Sequence, residues 1–146
     1  TALFSADFPL YRPKYDAAKG TYTGDRVQMS EALLTVLNAA EAGVVTDTTL
    51  NWLEQTLESG PIYAMYDASG SVVDGYRYES TGTYAILVQV GVSTGRETLT
   101  RLAMTRMEQT RCFDAPMVGA YGEADATTHY TFDELEALLA WRAYLR

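Results

Sequence analysis

The chemically reactive side chains of this 146-residue chain are concentrated in one short stretch, Asp74-Gly75-Tyr76-Arg77-Tyr78-Glu79-Ser80-Thr81. It combines two carboxylates, a guanidinium, hydroxyls and two amphipathic aromatic rings, a mixture suited to a polar ligand such as a sugar. We therefore expect any sugar contact to be made here. The structural alternative is that Ser80 or Thr81 caps the next helix while Glu79 lies in solvent.

Other polar and aromatic residues also have two interpretations each. Asp74 is either a second carboxylate near a reacting water or a turn residue beside Gly75. Arg77 either orients Glu79 or is a solvated side chain. His129, the only histidine, is typical of a loop residue. Trp52 and Trp141 fall on helical faces, which favours a place in the core over a sugar platform.

Composition excludes several classes of protein. The formal net charge of -8 argues against nucleic acid and against anionic membrane surfaces, because both require a basic patch. Cys112 is the only cysteine, so an intramolecular disulfide and a zinc site are both excluded, and we expect no cofactor. We expect no membrane span, because no segment approaches about 18 apolar residues. No phosphate-cradling glycine motif occurs.

Helix-forming patterns dominate the rest of the chain. Apolar residues at helical spacing predict a helix over 30–42 that ends at Gly43, and a second helix capped by Thr46 or Asp47 that stops at Gly60-Pro61. Residues 83–92 are apolar around nearly the whole circumference, which indicates a buried helix, with a buried strand as the competitor.

Two further helix starts resemble capping boxes. Thr94-Gly95-Arg96-Glu97 opens one helix, and Thr131-Phe132-Asp133-Glu134 opens the last, with Tyr130 and Leu135 placed as a hydrophobic staple. The core face of the last helix is predicted to consist of Leu135, Leu138, Leu139 and Trp141.

A short mark repeats along the chain. [Tyr/Phe]-Asp-Ala occurs at 15, 66 and 113, and each interval holds a turn segment and two predicted helices. A period of about fifty residues indicates an array of helical hairpins. Such units cannot bury their inner faces alone. We therefore expect either a partner chain or an upstream segment to cover the helix at 83–92.

The longer pattern resembles a known family. Three segments carry the resemblance: Gly60-Pro61-Ile62-Tyr63, Tyr66-Asp67 and Tyr76-Arg77-Tyr78-Glu79-Ser80-Thr81. They resemble the carboxy-terminal half of glycoside hydrolase family 8, and are closest to members that accompany bacterial exopolysaccharide or cellulose synthesis. The family's final loop resembles Gly119-Ala120-Tyr121-Gly122, and its last barrel helix resembles the run from Tyr130 to Leu139. The resemblance implies an all-α fold of helical hairpins forming part of an (α/α)6 toroid, with short extended loop segments.

The same resemblance implies an activity and a set of site residues. Family members are inverting endo-glycosidases of β-linked glycans, with one carboxylic acid and one carboxylate base. Glu79 occupies the position of the base, although the residues that follow it, Thr81-Gly82-Thr83-Tyr84, depart from the family pattern. The acid has no counterpart here. The expected sugar contacts are Tyr76, Arg77, Tyr78, Tyr63, Tyr66, Tyr121 and Asp74.

The resemblance also implies partners and a location. Residues 1–146 form a single domain that we expect to be the carboxy-terminal half of a larger barrel, completed by an amino-terminal half or a partner chain. The chain begins without methionine, which indicates a processed or excised piece. A bacterial protein of the cell envelope or exterior is expected. Two alternatives stay open: a non-catalytic glycan-binding or polysaccharide-biosynthesis domain, and a helical-repeat module that binds proteins.

Overall fold

The computed structural model describes residues 2–114, 116–122 and 129–146. Short strands precede and separate helices that run in hairpins. Within the described ranges the elements are β1 (Lys14–Asp16), β2 (Thr21–Thr23), β3 (Arg26–Gln28), α1 (Met29–Glu41), α2 (Asp47–Ser59), β4 (Met65–Asp67), α3 (Thr81–Thr94), α4 (Glu97–Gln109) and α5 (Thr131–Tyr144).

Helix α3 is the centre of the molecule. It packs against α1, α4 and α5, while α2 packs against α4. Every residue from Thr81 to Val88 is buried, as are Val90 and Gly91. This confirms the buried helix expected for 83–92 and rejects the competing strand. Each fully buried Leu, Ile or Val side chain contributes about 1.5–3 kcal/mol, so this helix anchors the core.

Two glycines of α3 let its neighbours approach closely. A Cβ at Gly91 would collide with the Thr100 hydroxyl oxygen of α4. A Cβ at Gly82 would lie 2.5 Å from a ring carbon of Phe132 on α5. Both helices therefore approach the backbone of α3 more closely than a larger residue at either position would permit.

Two antiparallel strand pairs precede the helical hairpins. β1 pairs with β2, and β3 pairs with β4 with Val27 opposite Tyr66. The segment before β1 is buried through Phe4 and Phe8, and the Phe8 ring lies 5.3 Å from the Trp52 ring. Trp52 and Trp141 pack partly buried against the core, as predicted.

The repeated mark corresponds to a repeated turn. Asp16 accepts hydrogen bonds from the backbone N–H groups of Ala18 and Lys19, and Asp67 accepts from those of Ser69 and Ser71. These Asx-type turns close the loops that come before the α1–α2 and α3–α4 hairpins. The third mark precedes α5, but its Ala115 lies outside the described residues.

Helix starts agree with the sequence in one place and differ in two. Thr46 caps α2 by accepting a hydrogen bond from the Thr49 N–H at 3.3 Å, as predicted. The capping box at Thr94 is wrong, because α3 runs on to Thr94, ends at Gly95 in the left-handed conformation, and α4 starts after Arg96. The capping box and staple at Thr131 are also wrong, because the residue before α5 is Tyr130, which is 69% exposed.

The predicted core face of α5 is wrong for its three leucines, although its fourth member, Trp141, packs partly buried against the core. Its buried residues are Asp133, Ala137 and Ala140, whereas Leu135, Leu138 and Leu139 are exposed. Small side chains therefore occupy the buried side of α5, and this helix packs against α3. Within the described ranges, no helix has the length and apolarity needed to cross a membrane.

Candidate functional site

The N-terminus of α3 is closed by a residue of α5. The Asp133 carboxylate accepts a hydrogen bond from the Gly82 N–H at 2.7 Å and from the Ser80 hydroxyl at 2.9 Å. Ser80 is thus the N-cap residue by position, but its own side chain makes no cap bond. Asp133 supplies the negative charge that the helix N-terminus favours. The segment 78–81 is thereby held in place.

Glu79 lies just before this N-terminus and contacts two helices. Its Oε2 accepts a hydrogen bond from the Tyr84 hydroxyl of α3 and lies 3.9 Å from an Arg106 guanidinium nitrogen of α4. The side chain is 39% exposed. Both contacts are made by Oε2, and no described residue donates a hydrogen bond to Oε1. Tyr84 and Arg106 thus fix Oε2, while Oε1 makes no hydrogen bond with the described residues.

The Tyr84 hydroxyl is fixed as a donor towards Glu79. It accepts a hydrogen bond from the Ile62 N–H at 3.2 Å, which occupies its acceptor side. Burial, followed by the hydrogen bond to Glu79, raises the pKa of Tyr84 well above the ordinary tyrosine value. The phenol therefore remains protonated at neutral pH and directs its proton to the carboxylate.

Two exposed aromatic rings precede Glu79 in the chain. Tyr76 and Tyr78 are 37% and 51% exposed, and their ring centroids lie 6.3 Å apart. Alternation along an extended segment places them on one side of the backbone. Amphipathic rings of this kind suit stacking on a sugar face while the hydroxyl stays hydrated.

Asp74 is a turn residue, in agreement with the second of its two interpretations. The Tyr76 N–H donates to the Val73 carbonyl at 3.0 Å, and Gly75 has φ of +83°. A type II-like turn requires a positive φ at that position, which glycine adopts without strain. Asp74 itself is exposed.

Arg77 and the tyrosines near it form a separate cluster. The Arg77 guanidinium lies 5.1 Å from the centroid of the Tyr63 ring, so the cation paired with Glu79 is Arg106 and not Arg77. Tyr66 is buried, and its hydroxyl accepts from the Tyr63 N–H at 3.0 Å. Burial raises the pKa of Tyr66.

Tyr121 is buried in a polar network with Glu108, Trp141 and Glu134. Its hydroxyl donates to Glu108 at 2.5 Å and accepts from the Trp141 indole N–H at 2.7 Å. Its backbone N–H donates to Glu134 at 2.7 Å. Burial raises the pKa of Tyr121. Glu134 therefore holds the 116–122 loop and does not form the expected capping box.

The remaining candidate groups have structural partners. His129 donates from Nδ1 to the Tyr121 carbonyl at 2.8 Å, and its buried Nε2 has no partner among the described residues. Cys112 is buried. Across 2–114, 116–122 and 129–146, no group of three His, Cys, Asp or Glu side chains could hold a metal ion.

Sequence reasoning missed three residues that build the site: Tyr84, Arg106 and Asp133. Tyr84 stands among the apolar residues of α3, where the only available signal was that a buried tyrosine hydroxyl needs a partner. Asp133 and Gly82 are 51 residues apart in sequence, so no local pattern connects them.

Taken together, these features define a protein of helical hairpins, with a carboxylate site at the N-terminus of its central buried helix. Comparison with solved structures identifies the wider architecture. A chain described as a novel alpha-amylase from Clostridium perfringens matches with a TM-score of 0.86 and 22% identity, over 98% of this chain and 44% of that chain. PssZ from Listeria monocytogenes matches with a TM-score of 0.67 and 22% identity, over 91% of this chain and 40% of that chain.

The first of these structures has an (α/α)6 fold, which confirms the prediction of an all-α chain forming part of such a toroid. At this identity the likeness concerns the fold, a six-hairpin glycosidase-like one. The present chain spans less than half the length of either solved chain. No protein-family model matches the sequence, and no curated protein matches it.

Proposed function

We propose that the chain is the carboxy-terminal part of an inverting endo-glycoside hydrolase, acting on a β-linked glycan of the exopolysaccharide or cellulose type. The observation that carries the proposal is the Glu79 carboxylate, which is 39% exposed, has one oxygen held by Tyr84 and Arg106, and has no hydrogen bond to the other oxygen from the described residues. This geometry suits a general base. The glycosidase-like fold supports the same class of reaction.

In the proposed reaction, a water molecule hydrogen-bonded to Glu79 Oε1 attacks the anomeric carbon. Its proton passes to the carboxylate while the glycosidic bond breaks. A carboxylic acid on a segment outside residues 1–146 protonates the leaving oxygen. An inverting enzyme needs about 6.5–9.5 Å between the two carboxyl groups to leave room for the water. The Tyr84 and Arg106 contacts fix the orientation of Glu79 during this step.

The tyrosines would hold the glycan. Tyr76 and Tyr78, three residues and one residue before Glu79, are exposed rings on which a pyranose could stack. Tyr63, with the Arg77 guanidinium over its ring, would provide a further contact from the separate cluster. The substrate class implies a protein exported to the bacterial cell envelope or exterior, where such glycans occur.

The test is a reducing-sugar assay on the protein purified from the cells that make it, with carboxymethylcellulose and mixed-linkage β-glucan as substrates. Soluble starch is included because one structural neighbour is described as an alpha-amylase. Loss of a general base lowers the rate by about 10²–10⁴-fold, so Glu79→Gln should lose at least about a hundredfold. Glu58→Gln, an exposed carboxylate on α2, is the matched control.

The stereochemistry provides an independent check. Proton NMR of the first products should show the anomer opposite to that of the cleaved linkage. A retained configuration, or equal activity of Glu79→Gln and Glu58→Gln, would overturn the proposed role of Glu79.

The second candidate is a glycan-binding domain without hydrolysis, favoured by the exposed pair Tyr76 and Tyr78, which can bind without a second carboxylate. Calorimetry with cellohexaose would then show binding that Tyr78→Ala weakens by about 1–1.5 kcal/mol. Tyr22→Ala is the matched control, because Tyr22 is 44% exposed and pairs with Tyr15 at 4.9 Å on the β1–β2 hairpin. No sugar affinity at all would leave the protein-interaction module.

A further inference from the structure

Arg77 is an exposed cation without a carboxylate partner. Within the described ranges, ion pairs with carboxylates are made by Lys19, Arg96, Arg106 and Arg111. Arg77 is exposed, and none of the carboxylates that the structure describes lies within ion-pair distance of its guanidinium. An unpaired arginine is common on a protein surface, so the surroundings of Arg77 decide whether it forms a site.

The guanidinium of Arg77 is held over an aromatic ring. It lies 5.1 Å from the centroid of the Tyr63 ring. The Tyr63 N–H donates to the Tyr66 hydroxyl at 3.0 Å, and the Ala64 N–H donates to the Tyr76 carbonyl at 3.2 Å. The segment that carries Arg77 is therefore tied to the segment that supplies the ring. A side chain positioned in this way loses less conformational entropy when it binds a ligand.

The contact with the ring leaves the guanidinium donors available. A cation is attracted to the face of an aromatic ring without using its N–H groups on a carboxylate or carbonyl oxygen. No hydrogen bond between the described residues uses a side-chain N–H of Arg77. Arginine presents its donors in a planar fork that matches the two oxygens of a carboxylate. The pair of Arg77 and Tyr63 is thus suited to a carboxylate that comes from a ligand.

The carboxylates nearest to Arg77 in the sequence do not pair with it. Glu79 is bound by Tyr84 and Arg106, and Asp74 is exposed and forms no ion pair with Arg77. Within the stretch from Asp74 to Thr81, the charge of Arg77 therefore remains for a ligand.

The net charge of the chain makes a preference for an acidic ligand a strict condition. With a net charge of -8, the protein as a whole repels anions. A ligand that is bound more tightly when it carries carboxylates must therefore meet a cation at close range, because the long-range field acts in the opposite direction. Such a preference would report a local contact and not a general attraction.

We propose that the pair of Arg77 and Tyr63 binds the carboxylate of an acidic sugar unit, so that the glycan taken by the Glu79 site is a β-linked one that contains uronic acid residues. The two carboxylate oxygens would accept parallel N–H bonds from the guanidinium. The assignment of the ligand as a β-linked glycan rests on the function proposed above, whereas the binding of its carboxylate does not depend on hydrolysis.

The test compares two hexasaccharides that differ only in their acidic groups: cellohexaose, and the same chain with its hydroxymethyl groups oxidised to carboxylates. Both carry sulfur in place of the glycosidic oxygens, so that neither is hydrolysed and Glu79 can stay unchanged. Binding is measured by calorimetry at low ionic strength, on the protein purified from the cells that make it. The oxidised hexasaccharide should bind at least about tenfold more tightly than the neutral one, because charged hydrogen bonds are the stronger kind.

Three variants locate the source of the preference. Arg77→Gln should bring the ratio of the two affinities to about one or below, because only the repulsion by the net charge then remains. Arg77→Lys keeps the charge without the planar fork and should retain part of the ratio. Arg101→Gln is the matched control, because Arg101 is also exposed and has no ion pair among the described residues, and it should keep the full ratio.

The outcome can be separated from that of the hydrolysis test. Equal binding of the two hexasaccharides, or no binding of either, would overturn the carboxylate site. A preference that persists in Arg77→Gln, or that Arg101→Gln abolishes as completely, would overturn it as well. The reducing-sugar assay with Glu79→Gln measures hydrolysis alone, so its failure would leave a preference that depends on Arg77 in place.

Discussion

Replacing Asp133 by alanine removes the carboxylate that caps α3 from outside that helix. Two donors lose their acceptor, the Gly82 N–H at 2.7 Å and the Ser80 hydroxyl at 2.9 Å. Ser80 can turn towards water, but the hydrogen bond made by the Gly82 N–H is buried. The change therefore leaves a buried donor without a partner.

The expected cost follows from these contacts. Loss of an N-cap costs about 0.5–2 kcal/mol, and a hydrogen bond to a charged group contributes about 1.5–3 kcal/mol. These two energies refer to the same contacts of Asp133 and are not added together. We therefore expect Asp133→Ala to lower the free energy of unfolding by about 3 kcal/mol. Asp133→Asn keeps an oxygen acceptor and loses only the charge near the helix N-terminus, which costs about 0.3–1 kcal/mol.

The assay is urea unfolding followed by far-ultraviolet circular dichroism, with the free energy taken from linear extrapolation. Glu31→Ala is the matched control, because Glu31 is also an acidic residue in the first turn of a helix, but it is exposed and its carboxylate caps nothing. It should cost about 0.3–1 kcal/mol. If Asp133→Ala and Glu31→Ala cost the same, Asp133 does not cap α3 and the account of the site fails.

Three further predictions concern packing and titration. Gly82→Ala should lower the free energy of unfolding by about 1–3 kcal/mol, because its Cβ would meet the Phe132 ring at 2.5 Å. The control Gly60→Ala has open space around its Cβ and should change the free energy by no more than about 0.5 kcal/mol. Equal costs in urea unfolding would contradict the close approach of α5. The raised pKa of Tyr84 means that the unfolded chain loses this proton first, so stability should fall as the pH rises past about 10. Tyr84→Phe should reduce that fall above about pH 10, and an unchanged slope there would refute the buried phenol. Leu138→Ser should leave the urea midpoint of the 146-residue chain nearly unchanged, because its side chain is 64% exposed; a large loss would place it in the core.

The sequence predicted the parts of the fold that depend on local pattern. Residues 83–92 are apolar on all sides, and a helix built from them has to be central and buried, which the structure confirms. The Asp-containing marks at 15 and 66 predicted turns before hairpins, and both aspartates accept backbone hydrogen bonds in such turns. Periodicity and turn chemistry are properties of neighbouring residues, so these two features could be read without knowledge of the tertiary packing.

The contacts of the candidate site could not be read in the same way. Glu79 was found from its aromatic surroundings, but its actual partners, Tyr84 and Arg106, lie on two different helices. The leucines of α5 were assigned to the wrong side for a related reason. Two apolar stripes compete in that helix, and the one that is buried is decided by packing against the rest of the chain. Packing between distant segments decides both questions.

The cap that α5 provides for α3 also sets an order of events during synthesis. A ribosome releases the chain from its amino terminus, so α1 to α4 leave the ribosome before Asp133 does, 51 residues after Gly82. Until then the first turn of α3 carries backbone donors with no acceptor. The central helix is therefore completed last, although it lies at the middle of the sequence. A chain that stops before α5 would keep most of its hydrophobic residues and still leave the start of its central helix unfinished.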